Sequence, residues 1–498
     1  MRNVSHFIGG QSTPWSGERT GEIFDPTIGQ VQAQVDLGTV QTVADAVANA
    51  RAAQPAWAAT NPQRRARVMF RFKALIEENM EQLAALLASE HGKVISDAKG
   101  DIQRGLDVVE FACGIPHLLK GDYTEGAGPG IDVYSMRQAL GVVAGITPFN
   151  FPAMIPLWML APAIACGNAF ILKPSERDPS VPVRLAELAL EAGLPAGILN
   201  VVHGDKLVVD AILDHPAVKA VSFVGSSDIA QYVYGRGAAA GKRMQCMGGA
   251  KNHGIVMPDA DIDQAVADIL GAAYGSAGER CMALPVVVPV GEKTAEVLRE
   301  KLVEEIAKLR VGVSTDAKAH YGPVVSAQHK ARIEGYIQMA VDEGSELVLD
   351  GRGFALDGHN DGYFLAPTLL DHVRADMQSY KEEIFGPVLQ ILRADTFEDA
   401  VRYPSEHQYG NGVAIFTRNG DFARRFASSV EVGMVGINVP IPVPVSYHSF
   451  GGWKRSGLGD LNQYGTDGIR FYTRTKTVTQ RWPSGGSVID QSFVIPTM

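Results

Sequence analysis

The sequence contains few cysteines. Four occur in 498 residues, and they lie far apart: Cys113, Cys166, Cys246 and Cys281. They lack the short paired spacings and the clustered histidines of disulfide frameworks and zinc sites. We therefore expect a reducing compartment, no disulfide framework and no metal site. Each cysteine is then either a small buried apolar side chain or a reactive thiol.

An excess of positive charge is also missing. The chain has 45 lysines and arginines against 55 aspartates and glutamates, a formal net charge of −10, and no basic block. Nucleic acids and anionic membranes attract basic surfaces, so we expect neither as a partner. Chemistry on a small molecule is the function class that the composition favours.

No apolar run is long enough to cross a membrane. The longest, residues 151–166, is shorter than a bilayer requires and contains three prolines, so we expect a buried helix there. The first six residues lack the apolar core and the small-residue cleavage site of a secretory signal. These observations predict a cytoplasmic protein.

The length exceeds the usual size of one hydrophobic core, so two or three domains are expected. Five short apolar runs in the first part of the chain are 142–146, 169–172, 199–202, 221–224 and 254–257. Helical patterns such as 180–192 lie between them, and this alternation is typical of an open parallel sheet. Such sheets bind ligands beyond the carboxyl ends of their strands, where Thr147, Lys173 and the Gly225-Ser226 pair fall. The sequence predicts one crevice for these groups.

The other segments favour ordinary elements. Residues 7–36 predict short hairpin strands, and Asn61 with Pro62 predicts the start of a helix that ends at Gly92. The sequence GAGPG at 126–130 imitates a phosphate loop, but an alternating strand follows it instead of a helix. We therefore discard it as a nucleotide-binding fingerprint.

Cys281 lies in the sequence GERCM at 278–282, after a run of small residues. A thiolate is a strong nucleophile, and a cation such as the neighbouring Arg280 lowers the pKa of a thiol. The alternative is a buried structural cysteine.

Two further motifs bear on that alternative. TPFNFP at 147–152 places the amide of Asn150 in a proline-bracketed loop after a strand, where an amide is a good oxyanion donor. KEEIFGP at 381–387 carries paired carboxylates and an aromatic ring before a Gly-Pro turn.

Together with FIGG at 7–10, KPSE at 173–176, FVGS at 223–226 and FGGWKRSG at 450–457, these motifs resemble the aldehyde dehydrogenase superfamily over nearly the whole chain. The resemblance implies an α/β fold with three parts. They are an open parallel-sheet NAD-binding domain (1–122 and 141–249), an α/β catalytic domain (250–470) and a small β oligomerisation element (123–140 and 471–498). In the family the tail strand pairs with the hairpin across a subunit interface, so a homodimer or homotetramer is expected.

The resemblance also implies NAD as the cofactor. A carboxylate at Glu176 would accept hydrogen bonds from the ribose 2′-hydroxyl and would repel a 2′-phosphate, which favours NAD over NADP. The alternative is that Lys173 and Glu176 form only a surface ion pair. Ala230 stands where the family often has a second glycine near the pyrophosphate. The implied cofactor-binding residues are Thr147, Phe149, Lys173, Glu176, Arg177, Gly225, Ser226, Gly248, Glu383 and Phe385.

In the chemistry that the resemblance implies, Cys281 attacks an aldehyde, and the Asn150 amide and the Cys281 N–H stabilise the oxyanion. A thioester remains on Cys281 after oxidation. Arg104 and Arg280 are expected to bind the substrate, since a guanidinium offers two parallel donors to a carboxylate. Arg104 can instead pair with Asp107, one helical turn away. The sequence is most similar to the branch of the family that oxidises malonate semialdehyde and methylmalonate semialdehyde.

The acyl acceptor is expected to be coenzyme A. Hydrolytic members of the family carry a glutamate just before the Gly-Gly that precedes the cysteine loop, because water needs a general base. QCMGGAK at 245–251 offers only Cys246 or Met247 there. A thiol needs such a base less, and loss of carbon dioxide would give acetyl-CoA or propionyl-CoA. The alternatives are a hydrolytic dehydrogenase of another small acidic aldehyde, such as succinate semialdehyde, and a non-catalytic nucleotide-binding scaffold.

Overall fold

The computed structural model describes residues 2–482. The helices are α1 Val40–Ala59, α2 Pro62–Glu78, α3 Met80–His91, α4 Ile95–Cys113, α5 Ile115–Leu118, α6 Met154–Ala165, α7 Ser180–Glu191, α8 Lys206–Asp214, α9 Ser227–Ala239, α10 Ile262–Tyr274, α11 Glu292–Ile306, α12 Ala327–Asp342, α13 Gln378–Lys381, α14 Phe397–Glu406, α15 Gly420–Ser429 and α16 Gly465–Phe471.

The strands are β1 Arg2–Val4, β2 Phe7–Ile8, β3 Gln11–Ser12, β4 Thr20–Asp25, β5 Gln30–Asp36, β6 Tyr123–Gly128, β7 Ile131–Ala139, β8 Val142–Ile146, β9 Ala169–Lys173, β10 Leu199–Val201, β11 Val218–Val224, β12 Arg243–Met247, β13 His253–Val256, β14 Val286–Pro289, β15 Glu346–Leu349, β16 Thr368–Asp371, β17 Val388–Ile391, β18 Tyr409–Gly410, β19 Gly412–Phe416, β20 Met434–Ile437, β21 Trp453–Lys454, β22 Gly457–Leu458 and β23 Thr473–Arg481.

An eight-stranded sheet has the order β22-β12-β11-β8-β9-β10-β2-β3. Its five middle strands are parallel, and short antiparallel strands close both edges. The chain proceeds outward from β8 in both directions, through β9 and β10 on one side and β11 and β12 on the other. A sheet wound in this way opens a crevice beyond its carboxyl ends. The predicted parallel sheet is confirmed.

A second sheet of seven strands has the order β15-β16-β17-β14-β13-β19-β20. All neighbours are parallel except β15 and β16. Strands β13, β14, β17 and β19 are buried along their whole length. A parallel sheet covered on both faces has such continuous apolar strands.

Each large sheet has its own hydrophobic core. After the second sheet the chain returns to the first core, where Phe450, Tyr464 and Phe471 are buried. Strand β22 also joins the first sheet, because Gly457 pairs with Met247 of β12. The domain division derived from the resemblance stays a prediction. Its boundary at residue 470 assigns residues 450–470 to the catalytic domain, whereas Phe450, Gly457 and Tyr464 contact the first sheet or its core.

A small sheet is formed by β6, β7 and β23, with β7 in the middle. Strand β23 pairs with β7 of the same chain, from Thr473 opposite Ala139 to Arg481 opposite Ile131. The expectation that this pairing crosses a subunit interface was therefore wrong. Helix α16 ends inside the first core and brings Thr473 directly to the end of β7. Residues 483–498 of the predicted oligomerisation element lie outside the described residues.

Helix α6 is buried at every position, as predicted for this apolar run. A helix that is apolar all round belongs in the interior. Within residues 2–482, no helix is both long enough and apolar enough to span a bilayer.

The predicted helix from Pro62 to Gly92 is two helices, α2 and α3, which meet at Asn79. The Asn79 side chain donates to the Leu75 carbonyl at 2.8 Å, and a side chain that competes for backbone in this way favours a break. The predicted ends are confirmed, since Asn61 caps the first helix and Gly92 ends the second with φ 93°. The antiparallel pairs β2–β3 and β4–β5 confirm the predicted hairpin strands.

Candidate active site

The residues that were predicted to share one crevice lie at the carboxyl ends of β8, β9 and β11, which are neighbours in the sheet. The Thr147 N–H donates to the Lys173 carbonyl at 3.0 Å, so the ends of β8 and β9 are tied together. Among the described residues the buried Thr147 hydroxyl has no hydrogen-bond partner. Buried polar atoms are rarely unpartnered, so this hydroxyl fits a ligand at the strand ends.

Helix α9 begins at the same edge, after Gly225 and Ser226. Ser226 is its N-cap and makes no side-chain capping bond, so the first N–H groups of the helix remain available. Such helix N-termini bind phosphate. Ala230 is fully buried in the first core, so its methyl group does not occupy the exposed end of the helix. This edge fits the pyrophosphate of a dinucleotide.

Lys173 and Glu176 form an ion pair, with Nζ 3.0 Å from Oε2. Lys173 is buried, whereas the Glu176 carboxyl is partly exposed. Burial alone would raise the pKa of Glu176, but the charge of Lys173 and local hydrogen bonds hold it below its ordinary value. The carboxylate is therefore ionised and can accept hydrogen bonds from ribose hydroxyls. The Lys173–Glu176 ion pair, which was the alternative to a role in cofactor binding, is present. The Glu176 carboxyl nevertheless remains partly exposed.

Two aromatic rings, Phe149 and Phe385, pack together near Arg177. Phe149 packs edge-on against Phe385 at 6.0 Å, and the Arg177 guanidinium lies 5.7 Å from the centre of the Phe149 ring. Burial lowers the pKa of His329 to about 4, so its neutral ring donates from Nε2 to the Phe385 carbonyl at 2.7 Å. Phe385 has a positive φ of 62°, and this hydrogen bond helps to hold it there. The sequence offered no signal for His329, which lies on α12 outside any motif.

The Cys281 loop follows helix α10 through a tight turn. Ser276 and Ala277 adopt left-handed backbone angles, with φ of 54° and 52°, and Gly278 has φ 73°. A Cβ on Gly278 would lie 2.1 Å from the carbonyl oxygen of Gly386, so only glycine fits. This close approach fixes the loop against the segment that carries Glu383.

Two asparagines hold the Cys281 backbone. The side-chain amides of Asn252 and Asn411 donate to the Cys281 carbonyl at 3.0 and 3.1 Å. These residues directly precede β13 and β19, which are neighbours in the second sheet. The cysteine loop is therefore anchored at the amino ends of these strands. Sequence analysis missed both asparagines.

The Asn150 side chain contacts the cysteine loop. Its amide donates to the Glu279 carbonyl at 3.1 Å, two residues before Cys281. Its own backbone carbonyl accepts from the buried Lys93 Nζ at 2.6 Å. Lys93 in turn pairs with Asp101 at 3.1 Å, and Asp101 accepts the Met154 N–H at 2.7 Å. This buried pair fixes the Asn150 loop, and no sequence motif pointed to it.

The surroundings of Cys281 favour the protonated form of its thiol. Burial raises the pKa of Cys281 to about 11, and the nearby Glu383 acts in the same direction. The expected activation by Arg280 was wrong, because the Arg280 guanidinium is turned to Asp97 at 2.6 Å and to the Gly271 carbonyl at 3.4 Å. The thiol therefore has to lose its proton as it reacts.

Glu383 lies at the same cavity as Cys281, together with Arg280 and Asn252. One of its carboxyl oxygens accepts the Ala250 N–H at 2.9 Å. Burial raises the pKa of Glu383 to about 7, although the Ala250 hydrogen bond and Lys251 oppose the shift.

The positions that precede the Gly-Gly are buried or apolar. Cys246 is fully buried in β12 and Met247 ends that strand. Gly248 makes a close approach, since a Cβ on it would lie 2.4 Å from the Arg455 carbonyl oxygen. Glu279 is buried with its carboxyl turned to the Val325 N–H at 3.2 Å.

Arg104 lies on α4 and does not line the cavity at Cys281. Its guanidinium donates to the Pro444 carbonyl at 3.0 Å and is 3.6 Å from Asp107, so the alternative pairing with Asp107 is present but long. The Tyr464 hydroxyl donates to the same Pro444 carbonyl at 2.9 Å. Burial raises the pKa of Tyr464. The charge of Arg104 lowers this pKa and Cys281 raises it, so the Tyr464 hydroxyl lies close enough to both side chains to interact with them electrostatically.

Comparison with known proteins gives the family. The model of the aldehyde dehydrogenase family matches residues 14–478, and the chain belongs to this family. The fold and family expected from the motifs are thereby confirmed.

Individual relatives narrow the similarity. The chain is 53% identical to a malonate-semialdehyde dehydrogenase of Pseudomonas aeruginosa over the full length of both. It is 49% identical to the acylating mitochondrial methylmalonate-semialdehyde dehydrogenase of Arabidopsis thaliana, over 96% of this chain and 79% of that one. The crystal structure of a putative methylmalonate-semialdehyde dehydrogenase from Sinorhizobium meliloti, complexed with NAD, superposes with TM-score 0.96 at 62% identity, covering 97% of this chain and 99% of that one.

Proposed function

We propose that this protein oxidises malonate semialdehyde or methylmalonate semialdehyde and transfers the acyl group to coenzyme A. NAD accepts the hydride, and loss of carbon dioxide leaves acetyl-CoA or propionyl-CoA. The observation that carries the proposal is the Cys281 loop with Asn150 at its side and no carboxyl group at Cys246 or Met247. The named relatives support the same substrate class, and the Arabidopsis relative is named as acylating.

The residues at Cys281 fit aldehyde oxidation. The Cys281 thiol releases its proton to solvent as its sulfur forms the bond to the aldehyde carbon, and the developing oxyanion lies within reach of the Asn150 amide and the Cys281 N–H. Preorganised donors of this kind stabilise the charge that forms in the transition state. NAD, when bound along Thr147, Glu176 and the start of α9, supplies the hydride acceptor. A thioester is left on Cys281.

The two arginines fit a substrate that carries a carboxylate. Arg104 is partly exposed and its strongest contact is to a neutral carbonyl, so its guanidinium keeps donors and charge for an incoming anion. Arg280 lines the cavity of Cys281 but already neutralises Asp97. We therefore assign the larger share of carboxylate recognition to Arg104 and a supporting share to Arg280.

A thiol acceptor fits the segment before Gly248. Water is a weak nucleophile and needs a positioned base, which hydrolytic relatives supply from this segment. Here Cys246 is buried inside β12, and Glu279 is turned to Val325. Hydrolysis should therefore be slow, and a stronger nucleophile should be required for turnover.

Two finer assignments accompany this proposal. The exposed strands of the small sheet, β6 and β23, are proposed to contribute to a homodimer or homotetramer. A cytoplasmic location is proposed from the composition and the cysteine usage.

Product analysis tests the proposal. Incubation with malonate semialdehyde, NAD and coenzyme A should form NADH, acetyl-CoA and carbon dioxide in equal amounts. Free malonate or acetate with no acyl-CoA would favour the hydrolytic alternative. Binding of NAD without any NADH formation from small acidic aldehydes would favour the scaffold alternative.

A further inference from the structure

Transfer of an acyl group to coenzyme A has its own proton balance. The thiol of coenzyme A loses a proton as its sulfur attacks the thioester on Cys281, and a nearby group has to accept it. Among the described residues that line the cavity at Cys281, Glu383 carries the one carboxyl group. Glu279 is two residues from Cys281 but lies outside this lining. One of its carboxyl oxygens accepts the Val325 N–H at 3.2 Å, and the other has no hydrogen-bond partner among the described residues.

The Glu383 carboxyl contacts the segment Gly249-Ala250, which carries no carboxyl group of its own. One carboxyl oxygen accepts the Ala250 N–H at 2.9 Å. The other lies so close to Gly249 that a Cβ there would be 2.5 Å from it. A carboxyl from the 381–387 loop thus rests beside the second glycine of the Gly-Gly pair.

Burial and the charges around Glu383 together place its pKa near neutrality, so its carboxyl can take up or release a proton there. Burial raises its pKa to about 7, while the Ala250 N–H, Lys251 and Arg332 oppose the shift. Cys281 and Tyr409 face it from the other segments, and burial raises the pKa of both. A carboxyl with this pKa is partly ionised at pH 7, which suits a general base.

We propose that Glu383 is the proton acceptor when the acyl group passes from Cys281 to coenzyme A. This role rests on the proposed function and adds to the cofactor-binding role that the family resemblance implies for Glu383. Glu383 takes the proton of the coenzyme A thiol while that sulfur bonds to the acyl carbon. The bond from the carbon to the Cys281 sulfur breaks, and the proton passes to the Cys281 thiolate or to solvent. The same carboxyl is free for this step once NADH has left.

The step can be isolated from oxidation. Acylation of Cys281 by p-nitrophenyl acetate without NAD gives a burst of p-nitrophenolate, and added coenzyme A should then yield acetyl-CoA. We expect Glu383→Gln to keep the burst and to slow acetyl-CoA formation about a hundredfold. Glutamine retains an oxygen for the Ala250 N–H but cannot accept a proton.

The neighbouring carboxyl is a matched control. Glu382 has its carboxyl near the Tyr336 hydroxyl and the Gln378 amide, away from the Cys281 cavity. Glu382→Gln should transfer the acetyl group at the wild-type rate. Hydroxylamine is a strong neutral nucleophile, so it should deacylate Glu383→Gln and the wild type equally fast.

The pH profile separates a base from a positioning role. In the wild type, transfer to coenzyme A should rise with pH through about 7, following ionisation of Glu383. In Glu383→Gln the rate of transfer should no longer rise with pH in this range. In Glu383→Asp the rate should still rise with pH, but with a shifted midpoint. If Glu383→Gln fails to acylate, the profile of Glu383→Asp decides, and an unshifted profile overturns the proposal.

The outcomes distinguish this proposal from the function beneath it. A wild type that acylates but never transfers to coenzyme A overturns the proposed function and the base together. A wild type that transfers, with Glu383→Gln equally fast and equally pH-dependent, overturns the base alone. Loss of the rise in Glu279→Gln instead would assign the step to Glu279.

Discussion

The crevice proposed to bind the nucleotide lies at the carboxyl ends of β8, β9 and β11, whereas the cysteine loop is held at the amino ends of β13 and β19. In the crevice, burial raises the pKa of Glu176, but the charges of Lys173 and Arg177 and local hydrogen bonds together hold it below its ordinary value and keep the carboxyl ionised. At the cysteine loop, burial prevails and raises the pKa of both Cys281 and Glu383. One site is thus built to hold charge and the other to exchange protons.

Removal of the nucleophile should separate the two sites most completely. Cys281→Ala should abolish NADH formation, because no other thiol lines the described part of the cavity. NAD binding should remain, since the crevice groups lie on the other sheet. Titration of NAD binding and a steady-state assay check this, with Cys113→Ala on α4 as the control. Substantial residual turnover would show that the nucleophile is misassigned.

Loss of the side-chain oxyanion donor should have the next largest effect. Asn150→Ala should lower kcat by about 10²–10³-fold with little change in NAD affinity. Lys93 binds the backbone carbonyl of residue 150, so the loop should keep its position in the variant. Steady-state kinetics and thermal unfolding together check this. A kcat within about threefold of wild type would remove Asn150 from the oxyanion site.

Substitution of the two arginines that are proposed to bind the substrate carboxylate should affect only aldehydes that carry a carboxylate. Arg104→Leu should raise KM for malonate semialdehyde by about tenfold to a hundredfold and leave KM for propanal nearly unchanged, because a charged hydrogen bond is worth about 1.5–3 kcal/mol. Arg280→Leu should have a smaller differential effect, since Asp97 already engages this side chain. The exposed Arg67→Leu on α2 is a control. Equal effects on both aldehydes would exclude a carboxylate role.

The smallest expected effect concerns the crevice alone. The wild type should strongly prefer NAD over NADP, because the ionised Glu176 repels a 2′-phosphate. Glu176→Gln should lower the ratio of kcat/KM with NAD to kcat/KM with NADP by about tenfold, equivalent to about 1.4 kcal/mol. Kinetics with each cofactor check this. Equal efficiency of the wild type with both would contradict the role of Glu176.

The difference between the two sites explains what sequence could predict. The crevice residues Thr147, Lys173 and Gly225 follow apolar strands directly, so a strand pattern and the rule for parallel sheets were enough. Asn252 and Asn411 carry no local signal, because they meet at Cys281 only after the second sheet has formed. The direction of an arginine side chain is likewise a tertiary property, so the supposed effect of Arg280 on the thiol was wrong.

The same distinction holds for the fold. Strand β8 and helix α6 follow from local composition, and their positions were predicted closely. The break at Asn79 depends on one side-chain hydrogen bond within a helical pattern. The partner of β23 depends on where α16 ends, since the same strand pattern is compatible with pairing within or between chains.

The acceptor for the acyl group is the central claim, and rapid-mixing measurement of NADH tests it most directly. With malonate semialdehyde and NAD but no coenzyme A, NADH should form in a burst of one equivalent per active site and then nearly stop. Addition of coenzyme A should restore multiple turnovers and produce acetyl-CoA. Equally fast steady-state NADH formation without coenzyme A, with a free acid as the product, would contradict the account.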